Sequence, residues 1–87
     1  MDDHVEFLDR PAEIVFGTDT ISFQAIVDGK NVTCIISFEL LLGPAGTSGD
    51  EAKRVFETER PKVHQRARFL ISQGKVHDGK LLIVSLI

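Results

Sequence analysis

The sequence has 87 residues and contains no tryptophan, no tyrosine and a single cysteine. One cysteine excludes an intramolecular disulfide and a cysteine-rich zinc site. Because tryptophan and tyrosine are absent, only the six phenylalanines could stack on nucleic-acid bases. The sequence is therefore poor in the aromatic residues that form a base-stacking surface. No apolar run approaches the roughly 20 residues of a membrane-spanning helix, so we expect no membrane segment.

The remaining composition is typical of a soluble globular protein, with 43% apolar and 26% charged residues. Residues 1–87 are too few for two domains of ordinary size, so we expect one small domain. The first residues are acidic, whereas a secretion signal begins basic and turns apolar. We therefore expect a cytoplasmic protein.

The net charge of −3 conceals an uneven distribution along the chain. Residues 1–28 contain seven acidic residues and one basic residue, whereas residues 60–77 contain five basic residues and no acidic one. A basic helical surface can bind phosphates by releasing counterions, or it can pair with acidic groups of its own chain or of a second subunit. Because the sequence pI is about 5.5, nucleic acid is not the favoured partner.

Residues 20–37 predict a β-hairpin. Asp28-Gly29 separates two alternating segments, and this dipeptide is typical of a type I′ turn, in which both central residues have positive φ. A two-residue turn at this position sets a register that gathers small and apolar side chains on one face. The facing pairs are Ile21 with Ile36, Phe23 with Cys34, and Ala25 with Val32.

Further strands are predicted on either side of this hairpin. Short apolar segments at 5–8 and 12–16 leave room for one more N-terminal strand. The segment 80–87 is apolar without alternation, which predicts a strand covered on both faces. Such a strand belongs inside this sheet or in a sheet shared with a second subunit.

Residues 49–73 predict an amphipathic helix, and Ser37 can cap a shorter helical turn before it. Ser48 and Glu51 have the spacing of a capping box. Pro61 interrupts the helix, where an interior proline costs about 3 kcal/mol. Either the helix kinks there, or a second helix begins near Glu59 with Pro61 in its first turn. We favour the kink because the apolar stripe keeps its phase across Pro61. The stripe consists of Ala52, Phe56, Val63, Ala67, Leu70 and Ile71, with Val55 at its margin.

Together these elements predict a two-layer α+β domain. Its antiparallel sheet contains the hairpin 20–37, the strand 80–87 and room for one N-terminal strand. The kinked helix 49–73 covers one face.

We predict no catalytic residue, no cofactor and no metal site. The glycines of the loop 43–49 lack the lysine of a phosphate-binding P-loop. The predicted register buries Cys34 opposite Phe23, which disfavours thiol chemistry. No histidine lies three or four residues from another, so no helix presents a metal-binding pair; the histidines are His4, His64 and His77.

The candidates for contacting a partner or an anion share the outer side of the predicted helix. They are Arg60, Lys62, His64, Arg66, Arg68 and Phe69. Phe69 lies outside the apolar stripe. It either turns inward after Pro61 or contacts a second subunit or a ligand.

The sequence contains two groups of motifs whose order along the chain resembles that of a small bacterial family catalogued as domain of unknown function 1488. The front group is Ile21-Ser-Phe23, Asp28-Gly29 and residues 32–37, and the back group is Phe56, Arg60, Val63, Ala67, Ile71, Gly74, Asp78-Gly79 and residues 81–83. The sequence departs from the family pattern at Pro61 and Phe69. The resemblance implies a small cytosolic α+β domain and no particular activity.

The leading functional hypothesis is a non-enzymatic binding or regulatory domain that self-associates as a homodimer, with no further protein partner indicated. The second is a small enzyme whose anionic substrate is held by Arg60, His64 or Arg68. The third is a weak nucleic-acid binder that uses the basic side of the helix.

Overall fold

In the computed structural model, which describes residues 5–8, 12–15, 17–43 and 48–84, a five-stranded sheet is covered on one side by three helices. The strands are Val5–Phe7 (β1), Glu13–Val15 (β2), Thr20–Val27 (β3), Lys30–Ser37 (β4) and Lys80–Ile83 (β5). The helices are Phe38–Leu42 (α1), Gly49–Thr58 (α2) and Arg60–Ser72 (α3). The α+β prediction is confirmed.

The hairpin of β3 and β4 has the predicted register. Asp28 and Gly29 have φ angles of 50° and 84°, as a type I′ turn requires. The three predicted facing pairs form, and all six of their side chains are buried beneath the helices: Ile21 with Ile36, Phe23 with Cys34, and Ala25 with Val32.

Both N-terminal segments form strands, one more than the sequence analysis allowed for. β1 pairs antiparallel with residues 25–27 of β3, and β2 pairs antiparallel with residues 20–22 of the same strand. Each strand has three residues, so the two fit one after the other along one edge of β3.

The last strand is parallel to its neighbour, so the prediction of a wholly antiparallel sheet is wrong in this detail. β5 pairs with β4 from Thr33↔Lys80 to Ile36↔Ile83. Residues 38–79 carry the chain through the helical layer and back to the beginning of β4, and a crossover of this kind produces parallel pairing. β5 ends at Ile83, and the predicted continuation over 85–87 lies outside the described residues.

The helical segment consists of two helices, so the prediction of one kinked helix is wrong. The break is at Glu59, whose φ and ψ are −96° and 9°. Pro61 lies in the first turn of α3, where its missing N–H needs no partner. Ser48 caps α2, because its Oγ accepts a hydrogen bond of 3.3 Å from the Glu51 amide.

The core lies between the helices and the inner face of the sheet. The six residues of the predicted apolar stripe are buried there, and the Phe23 and Phe56 rings meet with centroids 5.2 Å apart. β5 lies at the edge of the sheet, with Leu82 63% and Val84 76% exposed, so the prediction of an interior strand covered on both faces is wrong. The alternative, a sheet shared with a second subunit, stays a prediction. Leu82 is on the sheet face opposite the helices. No helix in the described ranges has both the length and the apolar character needed to cross a membrane.

Candidate functional site

The six predicted contact residues lie on two sides of α3. The first side, which we call the β1 flank, consists of Arg60, His64 and Arg68. The second side, the β5 flank, consists of Lys62, Arg66 and Phe69. At 100° per residue these two groups lie on either side of the buried stripe of α3.

The β1 flank packs on Phe7 of β1. The His64 imidazole stacks on the Phe7 ring with a centroid separation of 4.0 Å and an interplanar angle of 8°. The Arg68 guanidinium carbon lies 5.4 Å from the centroid of the same ring. Phe23 also approaches His64, at 5.5 Å. A short N-terminal strand is thus attached to the longest helix by aromatic contacts, which no local sequence signal predicted.

His64 is held in its neutral form. Partial burial lowers the pKa of its imidazole, and the nearby positive charges of Arg60 and Arg68 lower it further. Glu57 acts in the opposite direction, but its effect is smaller. This histidine therefore adds little positive charge to the β1 flank at neutral pH.

Acidic residues at the junction of α2 and α3 offset part of the basic charge. Arg60 donates two hydrogen bonds to Glu57, from Nε to Oε2 at 2.9 Å and from Nη2 to Oε1 at 2.6 Å. This contact lowers the pKa of the Glu57 carboxyl. Lys62 Nζ lies 3.5 Å from Glu59 Oε2. The charge count over 60–77 missed both pairs, because their acidic partners precede residue 60.

The β5 flank presents an aromatic side chain to solvent. Phe69 is 50% exposed, so the alternative in which it turns inward is wrong. The Arg66 guanidinium carbon lies 5.0 Å from the Phe69 ring centroid. Because the β1 flank lies over one edge of the sheet, the opposite flank of α3 faces the edge formed by β5.

A second apolar surface lies at that same edge. β5 bonds to β4 on one side. On its other side, which we call the open edge, His77 exchanges two backbone hydrogen bonds of 2.9 Å with Lys80 at the beginning of the strand, and no described strand pairs with the rest of this side. Beside it, where the ends of β4 and β5 meet α1, is a groove of about 440 Å³. The groove is lined by Thr20, Ile35, Ser37, Glu39, Leu40, Leu82, Ile83 and Val84. The sequence did not predict this exposure, since apolar residues in a strand are usually read as buried.

The interior offers no reactive thiol. Cys34 is fully buried, and burial raises the pKa of its thiol to about 12. The side chain therefore packs as a small apolar group, as predicted. Within the described ranges, no group of three or more histidine, cysteine or acidic side chains could hold a metal ion. His4 and residues 44–47 of the predicted loop lie outside those ranges.

The fold has a counterpart among solved structures. The chain resembles a crystal structure from Shewanella loihica PV-4, described as a protein of unknown function from the DUF1488 family, with a TM-score of 0.80 and 21% sequence identity. The alignment covers 98% of this chain and 97% of that one. No curated protein matches the sequence. Residues 5–83 match the family described as protein of unknown function (DUF1488), and the chain belongs to that family.

Proposed function

We propose that the protein is a non-enzymatic binding domain that acts as a homodimer, and that the surface at β5 is where the copies meet. The observation that carries this proposal is the exposure of Leu82 and Val84 at an unpaired strand edge. Leaving such an apolar edge in water invites association with another chain. A second copy of β5 would pair the free backbone groups of this edge and cover the edge-facing part of both side chains.

Sedimentation equilibrium tests this proposal. At about 100 μM, where a dimer of micromolar affinity is largely formed, we expect a mass twice the 9.6 kDa of one chain. The double substitution Leu82→Lys and Val84→Lys places charges in the contact and should return the mass to that of one chain. Val15→Lys is the matched control, because Val15 is 38% exposed on β2 at the opposite edge. A single-chain mass for the unaltered protein would reject the proposal.

A second candidate is anion or nucleic-acid binding by α3, favoured by Arg66 and Arg68. Among the described residues neither has an ion pair, in contrast to Arg60 and Lys62. Fluorescence anisotropy with random-sequence DNA and RNA tests this candidate, and binding should weaken steeply as salt is raised. Anisotropy that stays constant at low salt would remove it. The small-enzyme hypothesis would instead use Arg60, His64 or Arg68 to hold an anionic substrate.

The cytoplasmic location expected from the sequence stays a prediction. Cell fractionation with an antibody against the chain tests this location.

A further inference from the structure

We infer that two copies pair the open edges of β5 antiparallel about a two-fold axis, and that Phe69 of each copy closes the same interface in the helical layer. This inference rests on the proposed homodimer and specifies its geometry. The two five-stranded sheets would continue into one sheet of ten strands.

The charges at the two edges of the sheet favour β5 for self-pairing. The opposite edge carries Glu6 and Glu13 on its short strands, and charged side chains of this kind discourage edge-to-edge contact. β5 has a single charged residue, Lys80, at its beginning. In an antiparallel pair centred on Ile83, Leu82 lies opposite Val84 of the second copy. Lys80, whose backbone N–H and C=O are bonded to His77, stays outside this pair, so the two lysines are kept apart.

The outer sheet face is a poorer candidate for stacking two copies. Its centre is polar, because Gln24 and Thr33 face each other there. The Thr33 hydroxyl donates a hydrogen bond of 3.3 Å to Gln24 Oε1. Stacking two copies face to face would bury these groups of both chains away from water, which is unfavourable without new partners. Edge pairing leaves them exposed to solvent.

The edge of β5 alone is too small for a stable interface, so the helical layer must contribute additional contact area. A four-residue strand such as β5 is only about 13 Å long. A stable interface usually buries about 800 Å² on each partner, more than one short strand edge can provide. Apart from Leu82 and Val84, the described large apolar side chains that are exposed are Val15, at the opposite edge, and Phe69, over whose ring Arg66 packs. When two sheets join at β5, the two α3 helices become neighbours across the axis.

Disulfide cross-linking distinguishes edge pairing from face stacking. The native Cys34 is fully buried, so an added surface cysteine is the reactive one. We would oxidise Leu82→Cys alone, Val84→Cys alone and an equal mixture of the two, since directly opposed residues on paired strands lie within disulfide range. We expect an intermolecular disulfide in at least one of these samples. The Gln24→Cys variant, at the centre of the outer face, should remain uncross-linked.

The contribution of Phe69 is measured by the dimer dissociation constant. Phe69→Ala should raise this constant at least about tenfold, as expected for loss of an aromatic anchor. Arg68→Ala, next in sequence but on the β1 flank, should leave it within about twofold of the original value.

The outcomes separate this inference from the homodimer itself. If the unaltered protein has the mass of one chain, the homodimer is wrong, and the inference is wrong with it. If the protein is a dimer but Gln24→Cys cross-links and the β5 cysteines do not, only the edge geometry is overturned. A dimer whose dissociation constant is unchanged by Phe69→Ala overturns the contact in the helical layer.

Discussion

Burial changes the acid–base chemistry of two side chains in opposite directions. It raises the pKa of the Cys34 thiol to about 12 and lowers the pKa of the His64 imidazole. The cause is the same in both cases, because removal from water disfavours whichever form is charged. Both residues are therefore neutral in the folded protein at neutral pH.

For Cys34 this predicts protection from alkylation. In the folded protein at pH 8, iodoacetamide should leave the thiol essentially unmodified, because the reactive species is the thiolate and the side chain is inaccessible. In urea the same thiol should react at the rate of a free cysteine. Mass spectrometry of timed samples measures both rates. Equal rates in the two conditions would contradict the position of Cys34 beneath the helices.

For His64 the lowered pKa predicts a stability that depends on pH. The unfolded chain binds the proton at the ordinary pKa of about 6.5, whereas the folded chain binds it only at lower pH. The stabilising contribution is thus present above 6.5 and decreases as the pH falls below that value. Urea unfolding between pH 7.5 and 5.5 should show the decrease.

The matched variant for this measurement is His64→Gln, which removes the titrating group at the same position. Its free energy of unfolding should vary less over the same pH range than that of the original protein. Equal pH dependence in the two proteins would assign the effect to other groups.

The environment of His64 also shows what the sequence could not predict. Its main contact, Phe7, belongs to a strand of three residues and is 57 positions away in the chain. Local periodicity carries no information about a pairing at that distance. Cys34 was predictable because its partner Phe23 is joined to it by a two-residue turn that fixes the register.

At the scale of elements, the direction of the last strand was not predictable from its residues. An apolar strand has the same side-chain period whether it pairs parallel or antiparallel, so only the path of the chain through α1, α2 and α3 decides it. The sequence did allow for a break between α2 and α3, as the alternative to a single kinked helix. Pro61 allowed either a kink or a new first turn, and the phase of the apolar stripe did not distinguish them.

The position of Pro61 in the first turn of α3 predicts a small effect of Pro61→Ala. No hydrogen bond is gained there, while the unfolded chain gains conformational freedom, so stability should fall by about 0.4–1 kcal/mol. In a single kinked helix the same substitution would instead increase stability, by up to about 3 kcal/mol. Urea unfolding measures the difference. Lys62→Ala, an exposed site in the same turn, should change stability by less than about 0.5 kcal/mol.

At the scale of the whole molecule, the core depends on the strand at its edge. A domain of this size has a stability of about 5–10 kcal/mol. Leu81 is fully buried, and Leu81→Ala should cost about 2–5 kcal/mol. We therefore expect a substantially lower midpoint of urea unfolding for this variant, measured by circular dichroism.

The adjacent Leu82 provides the control, because its side chain is mainly exposed and points to the other face. Leu82→Ala should leave the midpoint nearly unchanged when the protein is too dilute to self-associate. Comparable losses from the two substitutions would be inconsistent with the alternating burial of β5.

The crossover between β4 and β5 has a kinetic consequence. Hairpins close within about 1–10 μs, and the turn at Asp28-Gly29 brings β3 and β4 together through local contacts. β5 can dock only after residues 38–79 have looped back, and closing a longer loop carries a larger entropic barrier. Until then β4 is the edge strand of the nascent sheet, and the backbone groups on its far side have no strand to pair with. During refolding, domain-swapped or aggregated species should therefore arise from chains whose β4 has captured the final strand of a neighbour.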